Sequence, residues 1–248
     1  MIDNKISKLV IVQCRTGSTR LPGKILKDFG GKNLLSVFME RIKKSKEPDG
    51  VVIATTNLPE DDIIIDLCKK NNWLYFRGST LDLLDRHYQC AKFFSADVVT
   101  KIPSDSPFTD PQLIDLVFKT YENGDFDYVS NLHPPTFPGG FDCEVFSFDA
   151  LEKANQTVTD PHFREHVTFQ FWQTDRYTSS QFTQKKDLSG YRLAVDYPED
   201  FELVRYVLGE IKSKRIFGDL NELVDIIDNN KDIKELNSKY YFGQGWNK

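Results

Sequence analysis

A basic segment rich in turn residues follows the first apolar run of the chain. It reads Arg15-Thr-Gly-Ser-Thr-Arg-Leu-Pro-Gly-Lys24 and holds three cationic side chains, two glycines and small hydroxyl residues. Such residues neutralise a polyphosphate and let the backbone approach it closely. The segment is neither a Walker A nor a GxGxxG loop, because five residues separate Gly17 from Gly23 and Ile25 follows Lys24. We predict a phosphate-binding loop of a different kind, with a plain basic surface loop as the alternative.

A second pattern with chemical potential is His162-Phe-Arg-Glu-His166. It matches H-x-x-E-H, the inverted zinc-peptidase motif, and places both histidines on one face of a predicted helix. The motif is short, and no third zinc ligand can be identified from the sequence. A zinc peptidase is therefore a minor alternative, and a helix whose His166 packs or binds an anion is the plainer interpretation.

The elements that must position these residues alternate between strand-like and helical patterns through the first half of the chain. This order is typical of a parallel sheet with crossover helices, and it predicts a doubly wound α/β fold. The predicted strands are Leu9–Cys14, Gly50–Thr55, Leu74–Arg77, Asp97–Ile102 and Asp127–Asn131. The predicted helices between them are Leu34–Lys44, Glu60–Asn71, Leu81–Phe94 and Pro111–Asn123.

The second half of the chain departs from this rhythm at a Pro/Gly-rich stretch, His133–Asp142, which predicts a long loop. We expect one domain over residues 1–248, with a small inserted β subregion at about 132–190 and a helical segment at about 198–248. The elements predicted there are a strand Glu144–Phe148, a helix from about Asp149, a helix Pro161–Gln173, extended pieces Tyr177–Thr183 and Tyr191–Val195, and helices from Pro198 to about Asn237.

Composition limits the possible partners. The 32 Lys+Arg and 37 Asp+Glu give a net charge of −5, so we expect no nucleic-acid partner. The first fifty residues hold eleven basic and five acidic side chains, which favours a small phosphate-bearing ligand there. We expect no signal peptide and no membrane insertion, and therefore a cytoplasmic protein. The four scattered cysteines contain no CxxC pair, which predicts buried, reduced thiols.

The basic segment and seven further motifs together resemble the sugar cytidylyltransferases, especially the SpsF-like branch. This branch is related to the synthetases of CMP-3-deoxy-manno-octulosonate and CMP-sialate, in the nucleotide-diphospho-sugar transferase superfamily. The resemblance spans roughly residues 8 to 208. Its motifs are Gln13–Lys24, Phe76-Arg-Gly-Ser79, Leu84-Asp-Arg-His-Tyr88, Asp105-Ser-Pro-Phe-Thr-Asp-Pro111, Thr136-Phe-Pro138, Glu144-Val-Phe-Ser-Phe148, Arg164-Glu-His-Val-Thr168 and Val195-Asp-Tyr-Pro-Glu-Asp-Phe201.

The resemblance implies a Rossmann-like nucleotidyltransferase that moves CMP from CTP to a sugar, a sugar acid or a phosphorylated acceptor and releases pyrophosphate. It implies Mg²⁺ as the cofactor and surface polysaccharide or glycoconjugate synthesis as the pathway. It assigns the metal to Asp105 and Asp196, each of which follows a predicted extended segment. Turn and helix-cap roles are the alternatives for these two aspartates. The residues expected to act in catalysis are Arg15, Lys24, Asp105 and Asp196.

The remaining site residues divide between nucleotide and acceptor. Arg77, Ser79 and Asp82 are expected at the cytosine edge, although helix capping explains the last two equally well. Arg164 is suited to holding a carboxylate or phosphate, and structural ion pairs are the alternative for the acceptor residues. The expected nucleotide-binding residues are Gln13, Arg15, Thr16, Gly17, Ser18, Arg20, Lys24, Arg77, Ser79 and Asp82. The expected acceptor-binding residues are Phe141, Asp142, Glu144, Arg164, Glu165 and His166.

One residue departs from the family pattern. Ser104 stands where the related enzymes usually have glycine, directly before the metal-binding aspartate. A side chain there would crowd the ribose, so altered nucleotide choice or a catalytically degenerate nucleotide-binding protein is an alternative. Related enzymes are commonly dimers. We expect a homodimer, with Tyr206, Phe217 and Tyr240–Phe242 as interface or core residues.

Overall fold

The described residues form a single sheet of seven strands with helices on both faces. The computed structural model describes residues 5–215, 217–241 and 243–244. The strands are β1 Lys8–Gln13, β2 Gly50–Thr56, β3 Leu74–Gly78, β4 Val98–Pro103, β5 Tyr128–Ser130, β6 Glu144–Ser147 and β7 Ser179–Gln181. The helices are α1 Leu34–Ile42, α2 Asp62–Lys70, α3 Leu83–Phe93, α4 Pro111–Glu122, α5 Phe148–Thr157, α6 Pro161–His166, α7 Phe169–Gln173, α8 Pro198–Lys214, α9 Leu220–Asp228 and α10 Lys231–Glu235.

The strand order confirms the predicted mainly parallel α/β fold. The order is β3-β2-β1-β4-β6-β5-β7, with β1 parallel to both β2 and β4. Strand β6 is inserted between β4 and β5 and runs antiparallel to both. The carboxyl ends of β1 and β4 therefore lie side by side, which is where an open α/β sheet binds its ligand.

The first four strands and helices lie where the sequence predicts them, to within a few residues. Helix α3 begins at Leu83 rather than Leu81, because the Asp82 carboxylate accepts a hydrogen bond from Asp85 N at 2.9 Å and caps the helix. Asn33 caps α1 and Asp110 caps α4 in the same manner.

The second half shows two local differences from the prediction. The predicted helix Pro161–Gln173 is two helices, because Val167 between them has a φ of +59° and ends α6. The extended piece Tyr191–Val195 joins no strand and makes one isolated bridge, from Arg192 to Gly139. Strands β6 and β7, from the expected inserted subregion, extend the main sheet itself. Residues 1–4, 216, 242 and 245–248, which belong to the predicted 1–248 domain, lie outside the described residues.

Strand β1 separates two apolar layers. Its residues Val10 and Val12 face a core that includes buried side chains of α1, α4 and α8. Leu9 and Ile11 face the opposite core, built with α3, α5 and α7. Burial of both faces explains why β1 reads as a continuous apolar run rather than an alternating one.

All four cysteines, Cys14, Cys68, Cys90 and Cys143, are buried free thiols, as predicted. Burial raises the pKa of Cys14 and of Cys68 to about 12. In the described part of the chain, no helix has the length and apolar character that crossing a membrane requires.

Candidate active site

A cleft of about 530 Å³ opens at the carboxyl ends of β1 and β4. Its walls come from the loop after β1, from the residues after β4, and from segments near residues 133–144, 165–172 and 192–197. Twelve of the predicted site residues line it: Gln13, Arg15, Gly17, Ser18, Arg20, Lys24, Asp105, Asp142, Glu144, Glu165, His166 and Asp196.

The loop after β1 is anchored by an aspartate that the sequence analysis did not identify. Both the backbone N–H and the hydroxyl of Thr16 donate to Asp61 Oδ1, at 2.8 and 2.7 Å. Thr56 donates to the other oxygen of the same carboxylate. Burial alone would raise the pKa of Asp61, but these hydrogen bonds hold it below its usual range. Thr16 therefore fixes the loop and is not among the residues that line the cleft.

Lys24 lines the cleft and lies between the two predicted metal ligands. Its Nζ is 2.6 Å from Asp105 Oδ2 and 2.9 Å from Asp196 Oδ1, with 11% of the side chain exposed. Arg20 also pairs with Asp196 Oδ1, at 2.5 Å. Burial on its own would lower the pKa of Lys24, and the two carboxylates raise it above its usual value. The ammonium is thus held charged between them.

The Asp196 segment is held in place by Asp200, a fully buried residue in the first turn of α8. Asp200 Oδ2 accepts hydrogen bonds from Asp196 N and Tyr197 N, at 2.9 and 3.0 Å. Arg192 spans the two carboxylates, at 2.7 Å from Asp196 Oδ2 and 3.1 Å from Asp200 Oδ1. Asp200 caps the helix, which leaves the Asp196 side chain to face the cleft.

A backbone hydrogen bond sets the distance between the two cleft aspartates. Val195 N donates to Asp105 O at 2.8 Å, so the segments that carry Asp105 and Asp196 run side by side. No described group of three or more His, Cys, Asp and Glu side chains could hold a metal ion. Two carboxylates that converge on one cation do fit Mg²⁺, which takes one or two protein carboxylates and completes its shell with water and phosphate.

The part of the cleft expected to bind the acceptor is acidic. Glu144 is buried, and it accepts from Lys101 Nζ and Tyr128 Oη, each at 2.7 Å. Burial would raise the pKa of Glu144, and Lys101 holds it below its usual value. Burial and the charge of Glu144 raise the pKa of Asp142 to about 7. The side chains of Asp142 and Glu165 also line the cleft.

The two histidines of the H-x-x-E-H pattern pack against aromatic rings. The His162 and His166 rings lie 4.7 Å apart, and His166 stacks on Phe169 at 4.3 Å. Burial lowers the pKa of His166 to about 4, so this ring is neutral near pH 7. Since the described residues provide no cluster with a third ligand, the zinc-peptidase alternative is not favoured.

Four predicted site residues point elsewhere, because they make ion pairs or caps of their own. Arg77 pairs with Asp62 at 2.6 Å, and Ser79 Oγ accepts from Asp82 N at 3.1 Å. Asp82 pairs with Arg164 at 2.7 Å, across 82 positions of sequence. The structure therefore places none of the three predicted cytosine contacts in the cleft lining, and Arg164 does not line the cleft either. These four side chains instead take part in ion pairs and helix capping.

Phe141, like Thr16, is a further predicted site residue that does not line the cleft. Its side chain is 1% exposed and packs in the core, and its carbonyl oxygen accepts from Asn131 Nδ2 at 2.8 Å. Ser104, the departure from the family pattern, is buried in the cleft wall and donates its N–H to Gln13 O at 3.2 Å.

Arg86 is a cleft residue that the sequence analysis did not select, although it lies within one of the quoted motifs. It is 4% exposed, and none of the described residues makes a hydrogen bond with its Nε or Nη1 atoms. Burial lowers the pKa of Arg86 to about 10. Gly78 makes room for it, since a Cβ at Gly78 would lie 2.9 Å from Arg86 Cγ.

Comparisons with known proteins identify the group to which this chain is similar. The family model described as Cytidylyltransferase matches residues 9–242. The spore coat polysaccharide biosynthesis protein SpsF of Bacillus subtilis is 31% identical over 232 residues, which cover 90% of this chain and 95% of that protein.

Solved structures show the same likeness. A cytidylyltransferase from Leptospira borgpetersenii superposes with a TM-score of 0.85 at 32% identity, covering 92% of this chain and 96% of that one. A CMP:2-keto-3-deoxy-manno-octonic acid synthetase complexed with CTP superposes with a TM-score of 0.64 at 16% identity, covering 82% and 99%. The second likeness establishes a shared fold.

Proposed function

Because this chain belongs to the cytidylyltransferase family and is a nucleotidyltransferase, we propose that it moves CMP from CTP to a sugar, sugar acid or phosphorylated acceptor. The observation that carries the proposal is the convergence of Lys24, Asp105 and Asp196 at one point of the cleft. A nucleotidyl transfer needs charge neutralisation at the phosphates and an acceptor oxygen in line with the leaving pyrophosphate.

The cofactor in this proposal is Mg²⁺, held by Asp105 and Asp196. When bound, it would supply positive charge to the phosphate oxygens. Arg15, Arg20 and Lys24 would bind the triphosphate, since all three line the same cleft as the carboxylates. Lys24 and Arg20 would then exchange their carboxylate partners for phosphate oxygens.

The acceptor would bind beside the acidic half of the cleft. Asp142 and Glu165 offer hydrogen-bond acceptors to sugar hydroxyls, and Glu144 is already paired with Lys101. A sugar acceptor for surface polysaccharide synthesis is further supported by the similarity to the Bacillus subtilis protein SpsF, which is named for spore coat polysaccharide biosynthesis. We also propose that the protein is cytoplasmic and forms a homodimer. Phe217 packs on Arg41, and Tyr241 is 61% exposed, whereas the predicted interface residue Phe242 lies outside the described residues.

The test is nucleotide binding followed by turnover. We expect CTP with Mg²⁺ to raise the melting temperature more than UTP, ATP or GTP, because a ligand of the native state stabilises it by mass action. Pyrophosphate release with a panel of ulosonic acids, neutral sugars and sugar phosphates would then identify the acceptor class. Stabilisation by CTP without pyrophosphate release from any acceptor would instead indicate the degenerate binding protein, and no stabilisation by any nucleotide would contradict the proposal.

A further inference from the structure

The last described residues of the chain return to the active-site cleft. We call residues 237–241 and 243–244, which follow α10, the C-terminal segment. Gly243 and Gln244 line the cleft together with Asp196 and Tyr197. The side chains of the C-terminal segment that lie behind the cleft wall contact the residues that hold Asp196 in place.

Asn237 connects the C-terminal segment to the buried carboxylate of Asp200. Its Nδ2 donates to Asp200 Oδ1 at 2.8 Å and to Arg192 O at 3.0 Å, and Asn237 is 4% exposed. A carboxylate and a carbonyl only accept hydrogen bonds, so both contacts need the amide N–H groups of the asparagine. Asp200 and Arg192 are the two residues that hold the Asp196 segment. Asn237 therefore restrains both of these neighbours of Asp196.

Tyr240 supports the residue that follows Asp196. Its ring stacks on the Tyr197 ring, with the centroids 3.9 Å apart and the planes at 6°. Arg20, which pairs with Asp196, lies over the Tyr197 ring with its Cζ 5.4 Å from the centroid. Tyr240 Oη also donates to Glu199, in the first turn of α8, at 3.1 Å. The Tyr240 ring therefore restrains Tyr197 and, through it, the guanidinium of Arg20.

We propose that Asn237 and Tyr240 are positioning residues for nucleotidyl transfer, which rests on the proposed function because it takes Asp196 as a ligand of Mg²⁺. Residues behind a metal ligand fix its orientation, and their loss weakens metal binding even though they never touch the ion. Here the hydrogen bonds of Asn237 keep Asp200 and Arg192 in place, and these two residues orient the Asp196 segment. The active site is therefore built from both ends of the chain, the loop after β1 and the C-terminal segment.

The experiment titrates Mn²⁺ into the wild-type protein and into Asn237→Leu, followed by the electron paramagnetic resonance signal of the free ion. Leucine keeps the branched shape of asparagine and removes both donors. We expect the Mn²⁺ dissociation constant to rise about 10- to 100-fold, the usual cost of losing a residue that orients a metal ligand.

The matched control for this substitution is Asn131→Leu. Asn131 is 1% exposed, and its side chain makes two hydrogen bonds with the backbone of Phe141 and Cys143 rather than with Asp200 or Arg192. This control should lose stability, as Asn237→Leu does, and keep the wild-type affinity for Mn²⁺.

A second pair of variants avoids substituting a buried residue. Tyr240→Phe keeps the stacked ring, whereas Tyr240→Leu loses it. We expect Tyr240→Phe to bind Mn²⁺ as the wild-type protein does and Tyr240→Leu to bind it more weakly. In Tyr240→Leu and Asn237→Leu, kcat for pyrophosphate release should fall while KM for CTP stays unchanged, because neither Tyr240 nor Asn237 is among the residues that line the cleft.

If the folded leucine variants of Asn237 and Tyr240 bind Mn²⁺ with the wild-type affinity, the C-terminal segment has a purely structural role and the proposal is overturned. A wild-type protein that binds CTP but no Mn²⁺, or an Asp196→Asn variant that binds Mn²⁺ as tightly as the wild type, would contradict the metal ligand in the proposed function and this proposal with it. The two failures are therefore distinguishable.

Discussion

The ammonium of Lys24 lies 2.6 Å from Asp105, a residue 81 positions later in the chain, and 2.9 Å from Asp196, 172 positions later. One side chain from the predicted phosphate-binding loop thus joins the two carboxylates predicted to hold the metal. Asp196 carries two further cationic neighbours, Arg20 and Arg192. The loop, the predicted metal ligands and the start of α8 are therefore linked by ion pairs, and a change in any of them should affect the others.

We predict that Lys24→Ala lowers kcat/KM by about 10²–10³-fold, because a charge aimed at the developing negative charge in such sites contributes about 3–4 kcal/mol. Steady-state pyrophosphate release would measure the effect. Lys32→Ala is the matched control, since Lys32 makes an exposed pair with Glu40 outside the cleft. Turnover of Lys24→Ala at the wild-type rate would remove the phosphate-binding role of this residue.

The same substitution should have the opposite effect on metal binding in the absence of nucleotide. Lys24 competes with a cation for Asp105 and Asp196, so its removal should strengthen Mn²⁺ binding by about tenfold or more. Titration followed by the electron paramagnetic resonance signal of free Mn²⁺ would detect this. Equal Mn²⁺ affinities in the wild-type protein and Lys24→Ala would mean that these carboxylates are not the metal site.

Asp105→Asn and Asp196→Asn should each abolish Mg²⁺-dependent turnover while the fold is retained. Burial would raise the pKa of Asp196, but Lys24 and Arg20 hold it well below its usual range. A carboxyl group whose pKa is lower in the folded than in the unfolded state stabilises the folded protein at pH values above its unfolded-state pKa. This stabilisation is lost as the pH falls through the folded-state pKa. Urea unfolding from pH 6 downward should therefore show an acid-induced loss of stability that is smaller in Asp196→Asn.

Asp142 should have the reverse pH dependence. Its pKa is raised to about 7 by burial and by Glu144, so the folded state keeps a proton that the unfolded chain has released. Stability should then fall as the pH rises from about 4 to about 7, and Asp142→Asn should flatten that decline. Denaturant unfolding at pH 5, 6, 7 and 8 would measure it; parallel curves for the two proteins would contradict the assignment.

Gly140→Ala should destabilise the protein and displace the Asp196 segment. Gly140 has a φ of +97°, and a Cβ there would lie 2.7 Å from the backbone nitrogen of Ala194. We expect a loss of more than about 1 kcal/mol in the free energy of unfolding, together with weaker CTP binding. Gly190→Ala is the control, because its added Cβ would meet nothing within 4 Å and its φ lies outside the positive range. Equal stabilities of the two variants would refute this account.

Residues whose position follows from strand topology could be predicted from the sequence. The predicted phosphate-binding loop and Asp105 each follow an apolar run that the alternation of strands and helices predicts to be a parallel strand, and both line the cleft. The position of β6 between β4 and β5 could not be derived, because periodicity identifies a strand but says nothing of its neighbours or direction.

The interaction partners of side chains that have several possible partners could not be predicted from the sequence. Arg164 resembles an anion-binding residue in its motif, yet its guanidinium is occupied by Asp82, Asn155 Oδ1 and backbone carbonyls. Asp61 lies in none of the motifs that the sequence analysis recognised, yet it anchors the loop after β1 by accepting hydrogen bonds from Thr16. The unpaired donors of Arg86 show only once the burial of every neighbour is known, because a lack of partners is a property of the folded chain.

The four buried cysteines can be used to detect local opening of the folded protein. They are distributed over the end of β1, helix α2, helix α3 and the segment before β6. A protonated, inaccessible thiol reacts with an alkylating reagent only after its surroundings open. Pulsed labelling read out by mass spectrometry would therefore give four local opening free energies without any added probe. Cys14 lines the cleft, so if CTP binds there as proposed, the labelling rate of this cysteine alone should slow through direct coverage.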